Sequence, residues 1–302
     1  MINKKKIYTA ITVAVLGGIL VFNGVANRED ASAKIIPQPV ASGTTVYNNS
    51  KAAVDASNAS EGYIMVKYTG GTDKKIKCIV QKSGGAAYTY NLNNKGNYET
   101  FPLAEGNGKY SVTVYENISG TKYSTAYNTS FNVNIKDEFS PFLYPNQYVN
   151  FNSNSDVVAL ADKLVSDTPE ELDKLKKIYY YVIGNISYDT QKAQTVQSGY
   201  LPNPDEIIKL KKGICFDYAA VMTSMLRSQG IPSKLVVGYS GSLYHAWINV
   251  YIKGVGWIDK AVYFDGKSWE LMDPTFASSS KNSIRIQQYI GDGSNYTAKY
   301  AY

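Results

Sequence analysis

Histidine occurs once in the 302 residues, at position 245, and cysteine twice, at positions 78 and 215. One histidine and two distant cysteines cannot supply the clustered ligands of a zinc centre, so no metal and no other cofactor is expected. A disulfide framework is excluded on the same count. A single Cys78–Cys215 bridge is the bland alternative to two free thiols, and an odd staple for a chain long enough to bury its own cores. Beyond residue 22 no run is apolar enough to span a bilayer. No basic run with interleaved aromatics occurs either, which removes the usual signature of nucleic-acid binding.

The first residues read as a leader. Lys4, Lys5 and Lys6 precede the uncharged stretch Ile7–Phe22, which is short for a spanning helix and suits the core of a signal peptide. Gly24 and Ala26, or Ala31 and Ala33, offer the small residues that a signal peptidase accepts, and no cysteine stands nearby to carry a lipid. The expectation is export of the chain, secreted or held at the cell surface, with residues 1–33 removed and no stable membrane insertion afterwards. The competing reading is an uncleaved anchor, because the stretch approaches the lower length limit for a span. Without the leader, 27 basic and 23 acidic residues remain, a net +4 that favours an anionic envelope without implying nucleic acid.

The remaining length suggests two cores. Residues 34–60 read as a linker. Over 61–135, GYIMVKYT, KKIKCIVQ, AAYTYNL, YETFPL, KYSVTVYE and TSFNVNI alternate or nearly so, with Gly70–Gly71, Gly84–Gly85, Asn93–Asn94 and Gly106–Gly108 between them. That punctuation predicts an all-β, immunoglobulin-like antiparallel sandwich. Ile76, Cys78 and Val80 share one face, which makes Cys78 a small core hydrophobe. With no histidine, no paired acids and no phosphate-binding glycine loop, this half reads as a spacer or binding module. Residues 136–155, rich in asparagine with two prolines, read as a second linker.

From 156 to 302 the period changes to helical. Thr168, Pro169, Glu170 and Glu171 predict a capped helix start, and Leu172, Leu175, Tyr179, Val182 and Ile186 a buried stripe. Gly213 and Ile214 lead into a second helix from Cys215 that stops at Gly230, with Ala219, Ala220, Met222, Met225 and Leu226 inward. Cys215 therefore stands where unpaired backbone amides favour a thiolate over a thiol. Asp217, in the same first turn, reads as a cap-region carboxylate that slightly opposes that thiolate. Three strands follow, at 234–239, 244–252 and 269–272. His245 opens the second and Asp273 closes the third, so antiparallel pairing would bring a base and its orienting acceptor to the cysteine. Taken singly each residue has an ordinary explanation: a core histidine, or an aspartate opening a turn before Pro274. The combination is what points to chemistry.

GICFDYA at 213–219, YHAWINVYI at 244–252, GWI at 256–258 and WELMDPT at 269–275, with NISYD at 185–189 upstream, resemble the core of the transglutaminase-like superfamily over about Val157 to Ala277. The resemblance implies a papain-related α+β fold in which Cys215 attacks a protein or peptide amide, His245 moves the proton and Asp273 orients the ring. It also implies an acyl-enzyme resolved by an amine or by water. The Cys215 amide is the natural first oxyanion donor, and Tyr188 is a candidate for the second. A packing tyrosine is the alternative there, and Gln191, Gln194 and Gln197 keep open the glutamine that papain-type peptidases use. The calcium sites of animal transglutaminases are not carried over. Two other classes stay open: a cell-envelope cysteine peptidase, whose compact type wants a second histidine that this chain lacks, and a non-catalytic surface module. The expected partner is a protein or peptide substrate within reach of the cell wall.

Overall fold

The computed structural model describes residues 36–259, 262–264, 269–271 and 296–302. The stretch expected as a leader and Asp273 lie outside the described residues. Residues 36–302 belong to one compact unit.

The first half is all β. Strands β1 (Val46–Asn48), β2 (Ala52–Asp55), β3 (Tyr63–Tyr68) and β6 (Glu99–Pro102) form one antiparallel sheet in the order β1-β2-β3-β6. Strands β4 (Ile76–Lys82), β5 (Ala87–Leu92), β7 (Gly108–Ser119) and β8 (Lys122–Val133) form another in the order β5-β4-β7-β8. Alternation made these strands legible: Ile76, Cys78 and Val80 are buried on β4, and Tyr110, Val112 and Val114 on β7. The hydroxyl of Tyr68 on β3 donates to Glu116 on β7 at 2.7 Å and joins the two sheets.

Neither stretch expected as a linker is one throughout. Within 34–60, β1 and β2 complete the first sheet, and all four residues of β2 are buried. AAVD lacks alternation because both of its faces are covered, so period two gives no signal there. Within 136–155, Phe142, Val149 and Phe151 are buried core residues. Asn146 is buried as well, its carboxamide oxygen accepting the amides of Tyr148 and Val149. The asparagines that read as loop composition cap a packed turn.

The second half is mixed. It runs α1 (Asp156–Val165), α2 (Glu171–Asn185), β9 (Ser187–Tyr188), α3 (Thr190–Thr195), α4 (Pro204–Leu210), β10 (Lys212–Gly213) and α5 (Cys215–Ser228). Then come β11 (Ser233–Ser240), β12 (Leu243–Ile252), β13 (Gly256–Ile258), β14 (Val262–Phe264), β15 (Trp269–Leu271) and β16 (Tyr296–Ala301). Helix α2 starts at Glu171 without a side-chain cap. The Thr168 hydroxyl donates to Asp167 instead, and Glu171 accepts the Lys253 amide, so the expected capping box does not form. The α2 stripe does form, with Leu175, Ile178, Tyr179 and Val182 buried and Leu172 partly so.

Helix α5 is covered on all sides: Asp217 to Ser228 are buried without interruption, where an inward face alone was expected. It packs against α1, α2, α4 and the sheet β13-β12-β11-β16. Strand β15 pairs with β14 in a separate two-stranded sheet, so the third strand expected beside β12 is β13 instead. One hydrophobic cluster runs from β2 to Tyr302 through both halves.

Candidate active site

Cys215 is the first residue of α5, and Ile214 caps the helix in extended conformation. The first amides of an α-helix have no carbonyl within the helix to bond, so the backbone at Cys215 presents N–H groups toward the sulfur's end of the helix. Ile214 carries no side-chain oxygen to cap with. The reciprocal half of the cap is present: the Asp217 carboxylate accepts the Ile214 amide at 2.9 Å. Gly213 makes that possible, because a Cβ there would stand 2.6 Å from the Asp217 Cβ.

His245 lies on β12, opposite Gly238 of β11. It is 4% exposed, and its ring packs against Tyr296 of β16 with centroids 6.2 Å apart. Cys215, partly buried, packs on the main core, whereas Tyr296 belongs to a small cluster with Val236 and Trp247. Cys215 and His245 line one cleft of about 580 Å³. Asp273, the third residue expected, lies outside the described residues.

Tyr188 reaches the same cleft by a different route. Strand β9 pairs in parallel with β10 and sets Tyr188 beside Gly213, two residues before Cys215. The amide of Asp189 donates to the Gly213 carbonyl at 2.8 Å and extends the pairing. Of the three glutamines, Gln197 lines the cleft, and its side-chain nitrogen donates to the Thr195 carbonyl at 2.8 Å. Gln191 and Gln194 are exposed and are not part of the described lining.

The rest of the lining was not anticipated. Tyr148, from the stretch read as a linker, packs on Phe216 at 5.5 Å and on Tyr302 at 4.4 Å between centroids. Burial pushes its hydroxyl up to a pKa of about 12. Leu243 and Tyr244 form an exposed rim at the start of β12, and partial burial, with Tyr300 and Tyr239 nearby as smaller contributions, raises the Tyr244 hydroxyl. Tyr200 lines the cleft and donates to Asp217 at 2.6 Å. Lys192 of α3 donates to the other oxygen of Asp217 at 2.5 Å and to the Tyr200 hydroxyl at 2.6 Å. Tyr244 stood beside the histidine in a quoted motif and could have been named; Lys192 carried no signal in its surroundings.

Cys78 has nothing comparable. It is fully buried on β4, and burial pushes its thiol well up. Both cysteines are free. Among the described residues no group of three metal-ligating side chains comes together, and no helix is long and apolar enough to cross a membrane.

Comparison with known proteins agrees with this geometry. Residues 158–274 match the family model of the transglutaminase-like superfamily. The uncharacterized protein YebA of Bacillus subtilis is 30% identical over 127 residues, covering 34% of this chain and 16% of YebA. The human kyphoscoliosis peptidase is 29% identical over 139 residues, covering 41% of this chain and 19% of the relative. The chain thus spans less than a fifth of the length of either. Among solved structures, red sea bream transglutaminase aligns over 70% of this chain and 48% of its own, at 14% identity and a TM-score of 0.29. A candidate cysteine protease from Cytophaga hutchinsonii aligns over 76% and 72%, at 17% identity and a TM-score of 0.39. The cysteine box at a helix start and the histidine strand bordering the same cleft both fall within residues 158–274, the stretch that matches the transglutaminase-like superfamily.

Proposed function

We propose that the protein is a thiol enzyme that forms an acyl-enzyme at Cys215 on protein or peptide amides and passes the acyl group to an amine or to water. The observation that carries this reading is the shared cleft: the first residue of α5 and a strand histidine, distant in sequence, both line it. The described lining has no side-chain carboxylate, ammonium or guanidinium, which suits an uncharged carboxamide entering among aromatic side chains.

The Cys215 thiolate attacks the carbonyl carbon, and the oxyanion is held by the Cys215 amide with the Tyr188 hydroxyl as second donor. The C–N bond then breaks, and the departing nitrogen takes its proton from the His245 imidazolium. The acceptor, amine or water, loses a proton to His245 as it attacks the thioester, and the thiolate leaves. The role of holding the second ring nitrogen and orienting the imidazole is assigned to Asp273 on the family resemblance alone. The human relative is named a peptidase, so hydrolysis is the other outcome of the same intermediate. The basic head and apolar stretch of residues 4–22 support a site of action outside the cell or on its surface, and the two preceding sheets are read as an immunoglobulin-like sandwich.

The test is incubation of envelope proteins with enzyme and a tagged primary amine, followed by mass spectrometry. Amine incorporation at glutamines establishes transfer, and new peptide termini establish hydrolysis. Cys215→Ala and His245→Asn should each abolish whichever is seen. Biological activity unchanged in Cys215→Ala would sink the reading in favour of a non-catalytic surface module.

A further inference from the structure

We infer that Lys192 is a positioning residue for Cys215: by pairing with Asp217 and Tyr200 it neutralises a buried negative charge beside the nucleophile and latches one wall of the cleft to the start of α5. This rests on Cys215 being the nucleophile, as proposed above.

Asp217 has no solvent exposure and sits two residues after Cys215, in the same first turn. A carboxylate there satisfies the helix end, yet in a buried site its charge opposes a second negative charge on the neighbouring sulfur. Three donors from three segments hold it. Oδ2 accepts the Ile214 amide at 2.9 Å and Lys192 Nζ at 2.5 Å, and Oδ1 accepts the Tyr200 hydroxyl at 2.6 Å. Lys192 also lies 4.1 Å over the Tyr200 ring. The pair is lopsided: the lysine side chain is 27% exposed and the aspartate 0%. The ammonium therefore retains part of its hydration, while the carboxylate depends on protein donors.

The same contacts fix the wall. Ala193 and residues 196–200 line the cleft, and Lys192 and Tyr200 bracket them. The segment is tied at its other end by the β9–β10 pairing and by Asp189, whose carboxylate caps α3 through the Lys192 amide at 2.9 Å. Losing Lys192 thus has two separable effects: a looser wall, and an uncompensated carboxylate next to the thiolate. The described titratable groups lining the cleft with Cys215 are His245 and Tyr244 from β12, Tyr188 from β9, and Tyr148, Tyr200 and Tyr302. Substitution at Lys192 or Asp217 replaces none of these side chains, and of them only Tyr200 bonds to either residue among the described contacts.

The experiment measures the pH dependence of iodoacetamide alkylation at Cys215, read by mass spectrometry on the full chain. Lys192→Met should move the midpoint to higher pH by about one unit, an approximately tenfold slower reaction below it. Lys192→Arg should stay near wild type. Asp217→Asn alone should move the midpoint the opposite way, and the double variant Lys192→Met/Asp217→Asn should return toward wild type. Opposite signs for the two single changes are the signature of charge coupling, which a loosened wall would not produce. Shifts of the same sign, or none in either variant, overturn the inference. If Lys192→Met does not fold, the direction of the Asp217→Asn shift alone decides. Failure of the underlying reading looks different: Cys215→Ala retains activity, whatever the alkylation profiles do.

Discussion

Cys78 and Cys215 carry the same side chain into opposite surroundings, one in each half of the molecule. Cys78 sits mid-strand on β4, level with Tyr90 of β5 and Val114 of β7, between the buried Ile76 and Val80 on the same face, and burial raises its thiol. Cys215 sits at a helix end, partly buried, against a cleft. In the β half, elements are complete units whose polar groups pair along ladders, and a thiol there is packing material. In the mixed half, the useful positions are element ends, where backbone amides are unspent and side chains from several segments converge. The halves also touch at the site. Tyr88 and Tyr90 pack their rings on Tyr302 at 5.5 and 5.8 Å, and Tyr302 lines the cleft. The β half is therefore part of the cleft's support, beyond the spacer or binding role its composition suggested.

The sharpest way to break the contrast is to alkylate both thiols of the native protein. Cys215 should react with iodoacetamide on the order of a hundredfold faster than Cys78 at neutral pH. Cys78 should become reactive only as its sheet opens, so its rate should track urea-induced unfolding. Peptide mapping of the two alkylated sites gives both rates at once. Equal, slow labelling would mean that the helix end confers no reactivity, and the proposed nucleophile would be lost with it.

Legibility in the sequence followed the same division. Strands β4, β5 and β7 could be read because buried residues alternate with more exposed ones along each, and period two records that difference. Strand β2 could not, since both its faces are covered. Helix α5 was placed almost to the residue by Gly213, Cys215 and Gly230, but its burial was underestimated: Ser224, Arg227 and Ser228 look like an outer face and are fully buried. At the site, Cys215, His245 and Tyr188 were readable because each stands in a local motif. Tyr148, Lys192 and Tyr200 were not, because their roles depend on contacts across the fold. A lysine acquires meaning at position 192 through a carboxylate 25 residues away in the chain.

Arg227 sharpens the comparison from inside the mixed half. It has no exposure, and it holds three backbone carbonyls: Ser233 through Nε and an Nη at 2.9 and 2.7 Å, Tyr144 at 2.6 Å and Tyr302 at 2.6 Å. These come from the stretch after the β half, the start of β11 and the end of β16. Arg227→Met should destabilise the protein by about 3–5 kcal/mol, since three carbonyls lose a charged donor at once, although that of Tyr302 keeps the Leu235 amide at 3.0 Å. Urea denaturation measures the loss. Arg227→Lys should recover part of it, because one ammonium cannot span all three acceptors. A cost below about 1 kcal/mol would show that water takes over the carbonyls, and that the cross-tie between segments is dispensable.

The smallest expected effect tests the contact between the halves most directly. Gly199, on the wall of the cleft, has φ +90°, and a Cβ there would lie 2.5 Å from the side-chain nitrogen of Asn91 on β5. Asn91 cannot easily withdraw. Its carboxamide oxygen accepts Lys77 Nζ at 2.5 Å, and its backbone carbonyl accepts Gln147 at 2.6 Å. Gly199→Ala should therefore push the wall rather than the sheet, costing about 1–2 kcal/mol in stability and lowering kcat/KM through misplaced Ser198 and Tyr200. Adding Asn91→Ala removes the collision but leaves the strained φ. The double variant should thus regain turnover while remaining less stable than wild type, a split that chemical denaturation and steady-state kinetics on the same preparation would resolve. If Gly199→Ala lowers stability and leaves turnover untouched, the wall tolerates displacement and the β half does not set the shape of the cleft.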